Sequence, residues 1–181
     1  MFVEFGGLMA VENVIENNLG GGLYAKDATV GVARNTVRNN NSQGDNGGGM
    51  KFTFCAGTVS NNDILQNSTQ YGLSAGMGGG IAVFGAPEGT THLMISNNTI
   101  AGNYASFGMD FGGGIGYYLQ SPGRLTISNN ILAYNSGGIY QVYQNPPGPS
   151  AALYRNALYQ NVSQDLFGNW VDQPYINRSP G

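Results

Sequence analysis

Charge is scarce in this sequence. Lys, Arg, Asp and Glu together supply 9% of 181 residues, against roughly 25% in an average globular chain. Seven basic and ten acidic residues leave a net charge of −3. The basic residues are scattered, so the footprint of a nucleic-acid binder is missing and no nucleic-acid partner is expected. Cysteine occurs once, at Cys55, which excludes an intrachain disulfide and leaves the redox compartment open. No apolar run approaches the roughly 18 residues that span a bilayer, so no transmembrane segment is expected. The opening stretch, Met1 to Gly7, reads as strand and lacks the charged and apolar regions of a signal peptide. Strong helix formers are sparse, which argues against a helical protein.

Glycine and asparagine take their place. Glycine numbers 30 of the 181 residues, where average usage is roughly 7%. High glycine with low charge suits a disordered linker. The 41% hydrophobic fraction argues otherwise, because its aliphatics recur in register. Short strands joined by many turns fit this composition. The length suits one domain with a sizeable core.

A six-residue unit, Asn-x-aliphatic-x-x-Asn, occurs six times. Its asparagine pairs are Asn13 and Asn18, Asn35 and Asn40, Asn62 and Asn67, Asn98 and Asn103, Asn130 and Asn135, and Asn156 and Asn161. The aliphatics two residues after each first asparagine are Ile15, Val37, Ile64, Ile100, Leu132 and Leu158. Four units also carry an apolar residue three before the first asparagine: Val32, Val59, Ile95 and Ile127. First asparagines are separated by 22, 27, 36, 32 and 26 residues. The unit keeps its length while the connections vary. Glycine runs then lead into alternating strands at Gly20–Leu23, Gly47–Met50, Gly78–Ile81, Gly112–Ile115 and Gly137–Ile139.

This self-similarity is the signature of a stacked repeat. The reading is all-β: a parallel β-helix of about six coils, residues 1–165, with a cap or tail at 166–181. Asparagine tolerates left-handed backbone and can satisfy the groups freed at a bend. The corners are therefore expected at the asparagines themselves, with their amides bonding between coils as ladders. The aliphatics stack as one interior column. A leucine-rich repeat needs a denser Leu pattern, and a β-sandwich has no reason to keep the five-residue spacing six times.

The blocks Leu93–Asn103, Leu125–Asn135 and Gly112–Tyr117 resemble right-handed β-helix repeat proteins. That group includes pectate-lyase-like enzymes and bacterial surface proteins of the polymorphic-outer-membrane type. The resemblance implies a secreted or cell-surface setting and a polysaccharide partner. It covers about residues 1–165 and is specific for fold more than for function.

An open first coil exposes unpaired backbone and apolar residues, which repeat proteins normally cap. The expectation is a segment of a longer protein, or self-association through the uncapped end.

Alternation after each glycine run assigns the faces. Leu23, Met50, Ile81, Ile115 and Ile139 point inward, as do Ala25, Phe52, Val83, Tyr117 and Gln141. Outward columns hold Tyr24, Lys51, Ala82, Gly116 and Tyr140, then Lys26, Thr53, Phe84, Tyr118 and Val142. The aromatic rings on this face, Tyr24, Phe84, Tyr118 and Tyr140, suit stacking against an extended glycan, or cover by a loop or neighbouring chain. Connections at Asn41–Asn46, Ser68–Met77 and Tyr104–Phe111 are expected along one edge of it, adding Tyr71, Tyr104 and Phe107.

Catalytic candidates are few: Asp45, Lys51 and Asp110. Asp45 and Asp110 share an offset before their glycine runs two coils apart, roughly 10 Å by strand spacing and near the upper limit for an inverting carboxylate pair. Two solvated turn aspartates explain them as well, and close acidic residues can hold Ca²⁺ with backbone carbonyls. No other cofactor is suggested. The acidic, histidine and basic motifs of polygalacturonase-like, pectate-lyase-like and alginate-epimerase sites are absent. His92 is read as a surface residue beside a loop, and Cys55 as inert packing. Three functions follow: a rigid scaffold or polysaccharide-binding module, an enzyme acting on an acidic glycan, and a segment of an oligomeric adhesin or phage spike.

Overall fold

The computed structural model describes residues 1–69, 76–85, 91–105, 111–120, 124–142, 151–162, 166–167 and 177–178. Every regular element among them is a strand, and every pairing between strands is parallel.

The strands stack into three faces. The glycine face runs through Leu23–Ala33, Met50–Thr53, Ile81–Gly85, Ile115–Leu119, Ile139–Gln141 and Leu166–Phe167. A connecting face holds Ala56–Ser60, His92–Ser96, Arg124–Ser128 and Ala152–Tyr154. The first two long strands, Phe2–Val11 and Leu23–Ala33, run through both of these faces. The asparagine face is Val14–Glu16, Thr36–Arg38, Asp63–Leu65, Thr99–Ala101, Ile131–Ala133, Ala157–Tyr159 and Asn177–Arg178. Two strands of the 166–181 segment thus extend two faces by one coil step.

Side chains fill the bore in columns. Ile15, Val37, Ile64, Ile100, Leu132 and Leu158 pair in consecutive register. So do Ala10, Val32, Val59, Ile95, Ile127 and Leu153. The ten inward positions assigned on the glycine face are all buried. Within this core the buried Tyr117 hydroxyl donates to Gln141 Oε1 at 3.2 Å and accepts the Ala151 N–H at 3.1 Å, so it is satisfied inside the bore.

Two asparagine ladders bind the coils. In the first, each Nδ2 donates to Oδ1 of the next asparagine along Asn13, Asn35, Asn62, Asn98, Asn130 and Asn156, at 2.9–3.0 Å. The same oxygen accepts the preceding asparagine's backbone N–H. The second Nδ2 hydrogen reaches back one coil, as from Asn98 to Val59 O at 3.0 Å. Asn18, Asn40, Asn67, Asn103, Asn135 and Asn161 repeat the pattern. Each interior asparagine therefore ties three coils together.

The corners differ from expectation in one respect. Left-handed backbone falls on the residue before each ladder asparagine. Glu12, Arg34, Asn61, Asn97, Asn129 and Arg155 precede the first ladder with φ of 51–58°. Asn17, Asn39, Gln66, Gly102, Tyr134 and Gln160 precede the second with φ of 46–66°. One residue turns the chain, and its neighbour's side chain bonds the coils.

The glycine runs are tied to the second ladder. A Cβ on Gly49 would sit 2.6 Å from Gly80 O and 3.0 Å from Asn67 Nδ2. Gly22, Gly80 and Gly114 meet Asn40, Asn103 and Asn135 in the same way. Close approach, not turn geometry, fixes glycine there.

Asn98→Ala strands the Asn62 amide and backbone donors and the Val59 carbonyl. It is expected to cost about 3–5 kcal/mol, while the exposed end member Asn13→Ala costs about 1 kcal/mol. Urea unfolding measures both, and equal losses would contradict the ladder account. Gly80→Ala is expected to lose about 1–3 kcal/mol through overpacking. Gly6→Ala, with nothing within 4 Å of the new methyl, should leave the unfolding midpoint nearly unmoved.

Candidate functional site

On the glycine face the outward columns lie in the register expected of them. Tyr24, Lys51, Ala82, Gly116 and Tyr140 are consecutive partners, and so are Lys26, Thr53, Phe84 and Tyr118. The first column is largely covered. Ala82 is fully buried and Tyr140 is 7% exposed. The cover comes from segments that enter the glycine runs: a Cβ on Gly116 would lie 3.0 Å from Met77 Cβ, and the Phe111 ring packs on Tyr140 with centroids 5.3 Å apart. Tyr140 is thus a buried residue of this face and no open platform member.

Phe84 and Tyr118 remain half-buried and are direct partners across two coils. Strand spacing places them roughly 4.8 Å apart along the axis. They line a groove of about 310 Å³ with Met77, Phe111, Val142 and Asn46. Asn46 Oδ1 accepts the Met77 N–H at 2.9 Å, which ties one wall of the groove to the preceding coil.

Beyond Phe84 sits a charge pair. Lys51 Nζ donates to Asp45 Oδ2 at 2.8 Å and to Oδ1 at 3.0 Å. The same ammonium stands 4.8 Å from the Tyr24 ring centroid and 5.8 Å from that of Phe84. Both rings present their negative faces to it. Partial burial pushes the Asp45 carboxyl up, but hydrogen bonds from Lys51 and Asn46 outweigh that and hold it below its usual range. Asp45 is thus a carboxylate committed to Lys51, a poor proton donor near neutrality.

Of the other sequence candidates, Tyr71, Phe107 and Asp110 lie outside the described residues. Tyr104 is 47% exposed and does not line the groove. Leu19, Asn41, Ser68 and Tyr104 bridge in sequence, so the three connections leave the rod at stacked points. Among the described residues no group of three His, Cys, Asp or Glu side chains could hold a metal ion. His92 is exposed at the first position of its strand, a strand residue where a loop was anticipated. Cys55 is 1% exposed, and burial pushes its thiol up, with Sγ 3.3 Å from the Ala25 and Thr53 carbonyls.

Asn46, Met77 and Phe111 were not singled out from sequence. Each immediately precedes a glycine run, so aligning the chain on those runs brings all three into one column. Their role depends on how the connections fold back, which the repeat does not encode.

Parallel strands in three faces, interior aliphatic columns and paired asparagine ladders define the class: a parallel β-solenoid. The chain belongs to the family described as the right handed beta helix region, whose sequence model matches residues 2–158. No curated protein and no solved structure gives a match. Among the described residues no helix is long and apolar enough to cross a membrane.

The Asp45 carboxyl is depressed on folding, so its contribution is full above its ordinary value of about 3.8 and fades as pH falls through the lower folded value. With Asp45 58% exposed, the pair adds less than about 1 kcal/mol. Wild type should exceed Asp45→Asn in stability by a constant margin from neutrality down to about pH 4, and the margin should close below it. A margin that widens on acidification would contradict this sign.

Proposed function

We propose that this chain is a rigid β-helix scaffold that binds polysaccharide along its glycine face, as part of a secreted or cell-surface protein. The observation that carries the reading is the groove floored by Phe84 and Tyr118 beside the Lys51–Asp45 pair. Aromatic rings offer a sugar its best apolar contact, while neighbouring amide and charged groups take its hydroxyls. The two rings lie one coil apart along the rod axis, which suits an extended polymer more than a small molecule. Binding rather than turnover is favoured because the one described carboxylate at the groove is neutralised by Lys51.

A second reading is assembly. On the strand Phe2–Val11, Phe5 and Met9 are 74% and 77% exposed. Exposed apolar side chains grouped on one strand mark contact with another chain.

A glycan array read with wild type and Tyr118→Ala tests the first reading. Wild type should bind a defined set of polymers, and Tyr118→Ala should weaken that binding about tenfold. An array with no bound polymer would sink it. A variant that binds as wild type but changes molar mass in light scattering would favour assembly. Release of cleaved products from uronic-acid polymers would replace binding by catalysis.

A further inference from the structure

The column that turns the chain before the second ladder contains an outlier. Its members are Asn17, Asn39, Gln66, Gly102, Tyr134 and Gln160. Glycine and, after it, asparagine tolerate left-handed backbone best. Tyr134 is bulky, has φ of 56°, and is 59% exposed. Backbone preference does not ask for an aromatic ring there. Strain held at an exposed position is a reason to look for a function.

The surroundings supply one. Tyr159, one coil on, meets the Tyr134 ring edge-on, with centroids 5.6 Å apart and planes at 83°. That contact braces the ring from one side. On the other side the column holds Gly102, whose missing side chain leaves a notch walled by Gln66, with the Gln66 Cγ 3.4 Å from where a Cβ would sit. Two hollows share Gly102 and Tyr134. One of about 490 Å³ includes Tyr104, Ser136 and Val162 in its lining. The other, of about 410 Å³, includes Leu65 and Gln66. No charged side chain lines either hollow among the described residues.

We infer that Tyr134 and the Gly102 notch form a second glycan subsite, on a different part of the rod from the groove, that takes a neutral pyranose unit. The apolar face of the sugar stacks on the Tyr134 ring in the notch. Gln66 in one hollow and Tyr104 in the other are lining residues that carry polar groups for its hydroxyls. Among the described residues no cation lines the hollow to meet a uronic-acid carboxylate, which favours a neutral unit. The subsite shares no lining residue with the Phe84–Tyr118 groove, so the two stand or fall separately.

Affinity electrophoresis through gels containing a neutral glucan, mannan, galactan or xylan, or polygalacturonate, tests this. The full chain is compared with Tyr134→Ala, Gly102→Gln and Tyr118→Ala. Gln66 and Gln160 already occupy the Gly102 column, so Gly102→Gln fills the notch with a side chain the corner accepts; thermal unfolding confirms that it folds. At least one neutral polymer should retard wild type, with about tenfold weaker binding in Tyr134→Ala and Gly102→Gln and unchanged retardation of that polymer in Tyr118→Ala. The inference is overturned if no neutral polymer retards wild type, or if polygalacturonate alone does. It is also overturned if folded Tyr134→Ala and Gly102→Gln bind as wild type does, or if Tyr134→Ala alters molar mass in place of binding. Loss of neutral-polymer binding in Tyr118→Ala alone would support the groove and reject this subsite.

Discussion

The hydrogen-bonded asparagine side chain is the constraint on which the rest of this molecule depends. Parallel coils could stack through backbone bonds alone, but each corner interrupts those bonds and buries the groups it frees. An interior asparagine such as Asn98 answers with four bonds. Its oxygen accepts two from Asn62, and its amide gives one to Asn130 and one to Val59. Aspartate lacks the donors, serine lacks the reach, and glutamine carries an extra methylene where the bore is already filled. The five-residue interval between ladders is fixed in turn, because a three-residue strand must separate two corners whose amides both point to the axis. Length variation is therefore confined to the connections, where no ladder member is displaced.

That confinement links fold to site. The connections entering the glycine runs vary in length, yet they end in residues tied to the second ladder through Gly22, Gly49, Gly80 and Gly114. Met77 and Phe111 stand immediately before such runs, so they are brought back over the sheet by the same close packing. Met77 covers Gly116 and Phe111 covers Tyr140, which leaves Phe84 and Tyr118 at the groove. Lys51, placed between the Tyr24 and Phe84 rings, is held by Asp45 from the preceding connection. Surface charge elsewhere follows the coil period. Lys26–Glu4, Arg34–Glu12 and Arg38–Glu16 each join positions 22 residues apart, across the first two coils.

Much of this was legible in the sequence because stacked repeats expose their own register. The ladder members, the Ile15-to-Leu158 column and the inward residues of the glycine face all follow from aligning six units. What was hidden depends on geometry outside the unit. The turning residues Glu12, Arg34 and Arg155 share no chemistry, since their common feature is a backbone angle that side-chain type does not announce. Tyr140 reads as outward by alternation, and it is; its burial comes from Phe111 in a connection whose path has no repeat to reveal it. Asp45 and Lys51 are six apart across a glycine run, a spacing with no meaning until the run folds.

Tyr134 shows where such a fold leaves room for function. Interior positions answer to both neighbouring coils, so a change at one ladder asparagine disturbs three layers. A turning position answers only to its own backbone angle, and its side chain points away from the bore. Chemistry can therefore vary there from coil to coil without touching the core, at a local strain of roughly 1 kcal/mol for a residue that is neither glycine nor asparagine. In the column from Asn17 to Gln160, Asn17, Asn39 and Gly102 accept the cheap solution while Gln66, Tyr134 and Gln160 do not. Tyr134, the one aromatic among them, stands beside the glycine that opens space for it. Strain and space meet at adjacent coils, a pairing the ladders neither require nor forbid.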